Sequence, residues 1–585
     1  MAGVGRGLRG LGLVVGLPAW TLAAELTVVQ SGPQGEVGKL EEAREIRIVF
    51  SEPMVVLGRI PGPVTAPFFG IRPKLSGSFR WSGTHTLLFT PKEPLPHATR
   101  YEVTIDTTAT SVAGNRLAAP HTFSFATPTL RLTQARWYRT GRRHDGSVVI
   151  GLRFNQPVEA RAVAKHTSLQ YWSHQWEPPL APEDVAGQLA AADPRALADF
   201  EAKVARVKAD AGRTGVVRYK NASDWDTATF RPGDDLVVLE TTDVPPPDTW
   251  LRVRIGPKVL GVQGTQAPGK PQETRLELEP AFFVEGLRCT KACDPDTYNP
   301  LRLRAAVEAG AARKAVRVTD LTDPAQPTRL GQAARSGEGE DALYDYEYDH
   351  GSSLALEDAG FSLQPARTYA VIVDKDLTAE DGQVLGYTWG GSLENWHRRS
   401  FTSFGSGHGV WETGGGRQLP FYARNLRSAS YWLAPITPQE LMPTIQKLEG
   451  GSFSLFPEGP GTLLSLRLRA DRIESRAVDL EGMLGPGGTG LVWAGLEDGE
   501  TIPKAHPTPD RNRRATLVQV TNLGINIKDS PLNTLVFVTR LDTGEPVAAA
   551  DVEIRTLDNK VFRCAAPRPN QPHPISGSTS TARCR

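Results

Sequence analysis

The sequence predicts an all-β chain of tandem antiparallel β-sandwich modules, with one small helical insertion in the second module. Three observations carry this. Short apolar runs alternate with polar residues in period two, the pattern of strands with one face on a core. The same strand-and-turn signatures recur along the chain. The 57 Gly and 46 Pro residues interrupt the apolar runs throughout, which leaves little room for long helices. A chain of 585 residues far exceeds one hydrophobic core and implies roughly four to six domains in series.

The recurrence fixes the modules. Ile46, Ile48 and Phe50 alternate with polar residues and stop at Ser51-Glu52-Pro53; Ile150, Leu152 and Phe154 repeat the pattern and stop at Asn155-Gln156-Pro157. Proline cannot donate to a β-ladder and suits a strand end. A second signature follows. Tyr101, Val103 and Ile105 precede Gly114; Leu251, Val253 and Ile255 precede Gly264 at the same offset; Tyr369, Val371 and Val373 precede Gly382 likewise. A glycine fixed at one offset implies a turn that needs positive φ. His121–Phe125 and Arg399–Thr402 read as closing strands. Three immunoglobulin-type sandwiches are therefore expected at 26–127, 128–278 and 279–404. The third is the least regular, since Leu301 and Leu303 open it without the Phe-x-x-Pro ending.

Inside the second module, at about 180–215, Asp193 is a good N-cap and Pro194 suits the first helical position. Leu197, Phe200, Val204 and Val207 follow at helical spacing up to Gly212. The apolar stripe of this helix is expected to pack on its own module.

The N-terminus reads as a signal peptide over residues 1–24: Arg6 and Arg9, the apolar stretch Leu11–Leu22, then Ala23 and Ala24 before Glu25. Gly10, Gly12, Gly16 and Pro18 oppose a buried helix there. No Cys follows to accept a lipid, and no other stretch reaches the ~18 apolar residues of a membrane span. The expected product is periplasmic or secreted, with no membrane insertion after cleavage. With 66 basic and 65 acidic residues, net charge +1, no global field draws it to nucleic acid.

Chemistry-bearing motifs are scarce. Cys289 and Cys293 are close enough for a local disulfide, and with no His nearby the ligands for zinc are lacking. Tyr344-Asp345-Tyr346-Glu347-Tyr348-Asp349 would put three carboxylates on one face of a strand, as calcium would need. A half-buried strand with its acidic face in water explains the same pattern, and the Asp-x-Asp-x-Asp-Gly loop is missing. The metalloprotease, serine-hydrolase, phosphate-loop and dinucleotide motifs do not occur. The chain is read as no enzyme, with no catalytic, cofactor-binding or metal residues. Gly405–Gly407 and Gly414–Gly416 read as linker and hairpin turns.

Some stretches carry a more specific resemblance. Trp81-Ser82-Gly83-Thr84-His85-Thr86-Leu87, leading to Phe89-Thr90-Pro91 and Leu95-Pro96, is similar to the N-terminal immunoglobulin-like modules of bacterial α2-macroglobulins. Leu419–Asn425 resembles the opening of their first macroglobulin domain. Gln519–Ile525 with Val538–Val547 looks like the start of a further one. The resemblance implies a macroglobulin-like domain at 405–514 and an incomplete one at 515–562. It also implies an endopeptidase inhibitor whose partners are proteases, which are trapped after cutting a bait segment and commonly bonded through a Cys-x-Glu-Gln thioester. No Cys here has Gln three positions on: Ala292, Asp296 and Pro567 stand there, and Cys584 is penultimate. Residues 563–585 are low in large apolar side chains and are expected to be a disordered tail, as in a chain truncated before the thioester region. An adhesion rod of sandwiches, or accessory modules of a truncated secreted enzyme, are the other readings.

Overall fold

Ile46, Ile48 and Phe50 turn inward together while Arg47 faces solvent, and from this alternation the first sandwich is built. The computed structural model describes residues 25–563 and 581–584, apart from 57, 59–63, 334–352, 406–407, 451–453, 507–511, 530–533 and 549. The signal-peptide segment 1–24 and the aromatic-acidic run at 344–349 thus lie outside the described residues. The chain forms two compact units: Met1–Pro178 with Ala205–Ala281, and Pro179–Val204 with Phe282–Arg585.

In the first unit, one sheet of the first sandwich orders Val28–Gly32, Ile46–Phe50, Thr86–Pro91 and Gly77–Ser82. The facing sheet orders Gly35–Glu36, His121–Ala126, Arg100–Ile105 and Phe69–Arg72. Ile46 opposes Phe89 and Ile48 opposes Leu87, and this layer meets Tyr101, Val103, Ile105, Phe123 and Phe125 from the other sheet. Each such fully buried side chain contributes about 1.5–3 kcal/mol of transfer free energy. Glu52, of the strand-ending triplet, accepts from Asn115 Nδ2 at 2.9 Å, tying the strand end to the Gly114 turn.

The second sandwich orders Tyr219–Asn221, Leu236–Thr241, Val148–Phe154 and Leu132–Arg139 in one sheet. Gly215–Val217, Thr167–Trp172, Trp250–Ile255 and Gln272–Glu277 form the other. Ile150, Leu152 and Phe154 enter the shared core. Val149 packs on the opposite face with Phe230 and Val238. Gly151 interrupts the strand because a Cβ there would meet the Phe230 ring at 2.9 Å. The three repeat glycines have the backbone conformation their offset predicts, with φ of 88° at Gly114, 72° at Gly264 and 81° at Gly382.

The second unit holds a third sandwich. One sheet orders Val284–Leu287, Leu301–Leu303 and Ser353–Leu354; the other orders Thr328–Arg329, Val316–Asp320, Thr368–Val373 and Trp389–Glu394. A short helix, Ala309–Ala315, runs directly into Val316–Asp320, as Ala160–His166 runs into Thr167–Trp172 in the second sandwich. Both helices open on Val-Glu-Ala, at Val158–Ala160 and Val307–Ala309, with Glu159 and Glu308 as N-caps. This repeat stands in the sequence at one offset from Phe154 and Leu303, outside the strand alternation that marks the modules.

Two expected boundaries are corrected. Phe401–Ser403 does not close the third sandwich; it pairs with Gln418–Arg424 and so opens the next domain. Arg513–Thr521 pairs with Gly490–Asp498, and Val518 and Val520 lie in that same domain's core. The break expected before residue 515 therefore falls after Thr521, since this strand buries one face on the preceding sandwich and the other beneath the helix Pro438–Gly450 through Ala515 and Leu517. That helix was also unforeseen. At its start the Thr437 backbone N–H and hydroxyl both donate to Glu440 Oε2 at 2.8 Å, the glutamate half of a capping box.

Beyond it, Leu523–Asp529 and Thr534–Arg540 form a hairpin. Thr581–Cys584 pairs with Thr534–Phe537, which corrects the expectation of disorder for those four residues.

Candidate functional site

Among the described residues no three His, Cys, Asp or Glu side chains gather as metal ligands. A cleft of about 990 Å³ is lined by Tyr298, Glu308, Arg313, Asp358 and Phe361. It extends to Ala333 and Ser353, the residues flanking the undescribed 334–352. The chemistry-bearing side chains of the second unit gather instead at two places, where the insertion seats on the third sandwich and where that sandwich meets the domain after it.

The insertion's seat begins with glycine. Gly390 and Gly391 sit inside the strand Trp389–Glu394, where glycine weakens a sheet unless something approaches closely. Here the insertion does: Glu183 N–H donates to Gly390 O at 2.8 Å, and a Cβ on Gly390 would lie 2.6 Å from Glu183 O. Asp184 Oδ1 then accepts from the backbone N–H of Leu189 at 2.9 Å and Ala190 at 3.1 Å, turning the chain into a short helix. Leu189 and Ala196 pack on Ile372. Asp193, the expected cap, accepts from Arg195 N–H at 3.0 Å. Its other oxygen takes Thr388 Oγ1 at 2.9 Å and Lys375 Nζ at 3.3 Å. The Arg195 N–H leads in holding this carboxyl below the usual range.

Phe200 sets its ring edge-on to Tyr387, with centroids 5.1 Å apart. Lys203 Nζ lies 4.8 Å from the Phe283 ring centre and donates to Leu385 O at 2.6 Å. Burial pushes the Tyr387 hydroxyl far above its ordinary pKa, while that oxygen accepts from Val284 N–H at 3.2 Å. The helix runs Ala196–Ala211. The stripe expected to pack on its own module is therefore corrected in its first half. Phe200 and Lys203 serve the third sandwich, and Leu197, expected inside, is 49% exposed. Periodicity finds such a stripe but does not identify its partner.

The second place starts at Cys289 and Cys293, which are joined in a disulfide with Cα atoms 5.7 Å apart. Asp294 follows, buried, and pairs with Arg399. Asp296 reaches both Arg398 and Arg424 at 2.8 Å. Beside them Asp471 accepts from Arg398 N–H at 2.7 Å and Asn425 Nδ2 at 3.0 Å, and lies 2.7 Å from His397 Nδ1. Burial works to raise the Asp471 pKa, yet these hydrogen bonds outweigh it and hold the carboxyl below its ordinary value. Deeper in the same domain, Asp498 Oδ1 accepts from Thr402 Oγ1 at 2.7 Å while Oδ2 finds no partner among the described residues. Burial raises this carboxyl to about 6, against the lowering pull of Thr402, Asn512 and Arg514. The acidic and basic members of the junction were missed. Their one signal is charge complementarity between Cys293-Asp294-Pro295-Asp296 and His397-Arg398-Arg399, a pair of short runs about a hundred residues apart that no spacing rule connects.

The arrangement can hold modules together. Residues 23–127 match the bacterial Ig-like domain family. A stretch of 117 residues, 18% of this chain, is 28% identical to an alpha-2-macroglobulin homolog of Yersinia pestis and spans 6% of that protein. Among solved structures, alpha-2-macroglobulin from Escherichia coli spanning domains MG0-NIE-MG1 is 14% identical. That match covers 52% of this chain and 90% of that one, at a TM-score of 0.29. Salmonella alpha-2-macroglobulin reacted with methylamine is 9% identical, covering 96% of this chain and 40% of that one, at a TM-score of 0.16. No described helix is long and apolar enough to cross a membrane.

Proposed function

We propose that this chain is scaffold of a bacterial α2-macroglobulin-like inhibitor of endopeptidases, acting outside the cytoplasm, with the protease-trapping chemistry carried elsewhere than in these residues. The observation that carries the reading is the 117-residue similarity to the Yersinia pestis homolog. The tandem sandwiches and the bacterial Ig-like match at 23–127 support it, as do the macroglobulin-like stretches Leu419–Asn425 and Gln519–Ile525. A scaffold needs rigid modules more than reactive groups, and the seated insertion and the ionic junction supply rigidity. The Cys-x-Glu-Gln motif does not occur in the 585 residues, so covalent capture by this chain alone is not expected.

The test has two arms. The coding sequence read beyond Arg585 in all frames is expected to show further macroglobulin-like strands and a thioester motif, and its product is expected to protect protein substrates from endopeptidases. A product that binds cells or glycans and leaves proteases unhindered would overturn the inhibitor reading in favour of an adhesion rod. In the second arm, the present chain incubated with active protease is expected to show no covalent adduct on a denaturing gel.

A further inference from the structure

Cys293 is fully buried and stitched into the edge of the third sandwich. Its N–H donates to Glu394 O and its carbonyl accepts from Trp396 N–H, each at 2.9 Å. Cys289 is half-buried, so it is the more accessible of the two. Between them Ala292 is held at φ 54°, a left-handed conformation that a residue with a Cβ adopts only under constraint. Past Cys293 the chain braces itself. Asp294 O accepts from Thr297 N–H, Thr297 Oγ1 and Asn299 Nδ2 at 3.1, 2.8 and 2.8 Å, and Asp294 Oδ1 accepts from Asp296 N–H at 3.0 Å. The result is a stapled loop that presents two carboxylates. Asp294 meets Arg399 on the segment leaving the sandwich, and Asp296 meets Arg398 and also Arg424, which belongs to the strand Gln418–Arg424 of the following domain.

We infer that the Cys289–Cys293 bond is a redox-controlled clasp: its formation sets the loop that docks the third sandwich onto the next domain, and its reduction loosens that junction. This stands apart from the inhibitor reading and would hold for a rod or an accessory module equally. Closure is thiol–disulfide exchange. The two thiols give up two protons and two electrons to the disulfide of an oxidant, which leaves as a dithiol while the Cys289–Cys293 bond forms. Opening reverses this. A dithiol's thiolate attacks the more accessible Cys289 Sγ, Cys293 departs as thiolate, and the reductant's second thiol displaces Cys289 to complete its own disulfide. With the bond gone, Ala292 is free to leave its left-handed conformation, and the two carboxylates lose the fixed geometry that three arginines require.

The full chain carrying C564S and C584S, so that only Cys289 and Cys293 can react, is measured by hydrogen exchange with and without dithiothreitol. Peptide-level alkylation establishes the state of both sulfurs. On reduction, exchange across 394–400, where Trp396 and Arg398 donate to Cys293 O and Asp471, is expected to quicken about tenfold, the scale for a bond closing a short loop. Exchange across 46–50 is expected to stay unchanged. D296N, which keeps both cysteines, is expected to show faster exchange over 394–400 while oxidised and a smaller further increase on reduction. Alkylation of both sulfurs with no change at 394–400 overturns the clasp, and so does a bond that dithiothreitol leaves intact in the folded chain.

Discussion

The strands Tyr101–Ile105 and Tyr369–Val373 occupy the same place in the repeat, yet they have different outer faces. In the first sandwich the residues between the buried Tyr101, Val103 and Ile105 are Glu102 and Thr104, which face solvent. In the third they are Ala370 and Ile372, buried, with Ile372 covered by Leu189 and Ala196 of the insertion. The neighbouring strands differ in the same way. His121–Ala126 alternates polar and apolar residues, whereas the strand Trp389–Glu394 has glycine at Gly390, where the Glu183 backbone approaches, and at Gly391, where a Cβ would run into the Trp389 ring. One sandwich is complete from its own contiguous sequence. The other is finished by a segment that comes before it in the chain.

The comparison can be broken most forcefully at the glycines. Gly390→Val puts atoms where Glu183 O lies and is expected to cost about 3 kcal/mol, at the upper end of overpacking. It should release residues 179–204 to limited proteolysis, whereas Gly70→Ala in the first sandwich, whose Cβ would meet nothing nearer than 3.8 Å, should leave its fragment pattern unchanged. Ile372→Thr, which gives the third sandwich the first one's outer residue, is expected to cost about 2 kcal/mol. The reverse change, Thr104→Ile, should fall within about 0.5 kcal/mol in thermal unfolding.

A third prediction concerns pH. The Asp498 carboxyl rises in the fold from 3.8 to about 6, so the protonated form is the one the structure favours. Its stabilising contribution is complete below pH 3.8 and disappears as pH rises through about 6. Relative to Asp498→Asn, the wild-type domain should lose about 1–2 kcal/mol between pH 4 and pH 7. A difference that stays flat across this range would show that the carboxyl is ionised without penalty. The smallest effect is local: Thr437→Ala removes the hydroxyl that donates to Glu440 and is expected to cost about 0.5–1 kcal/mol, read as faster hydrogen exchange in the first turn of Pro438–Gly450.

What could be read from the sequence divides along the same line. The all-β class, the strand alternation and the repeat glycines follow from period and offset, which are local properties. The insertion helix was found for the same reason, through Asp193 and the spacing of Phe200, Val204 and Val207. Its partner was not, although Tyr369-Ala370-Val371-Ile372-Val373 is an uninterrupted apolar run, the mark of a strand covered on both faces. The cysteine pair could be named from its spacing alone. The carboxylates it positions could not, because Asp296 gains meaning only from Arg398 and Arg424, and proximity across a hundred residues is decided by the fold.

The seated insertion also sets a timetable. Residues 179–204 leave the ribosome before any of their seat exists, and the last strand of that seat, Trp389–Glu394, follows roughly 190 residues later. At about 5–20 residues per second the delay is on the order of 10–40 s. During that time Leu189 and Phe200 have no apolar surface of the third sandwich to cover. Strict module-by-module maturation is thus closed to this chain: the second sandwich can condense early, but its insertion must wait, unburied, for a neighbour that is still being made.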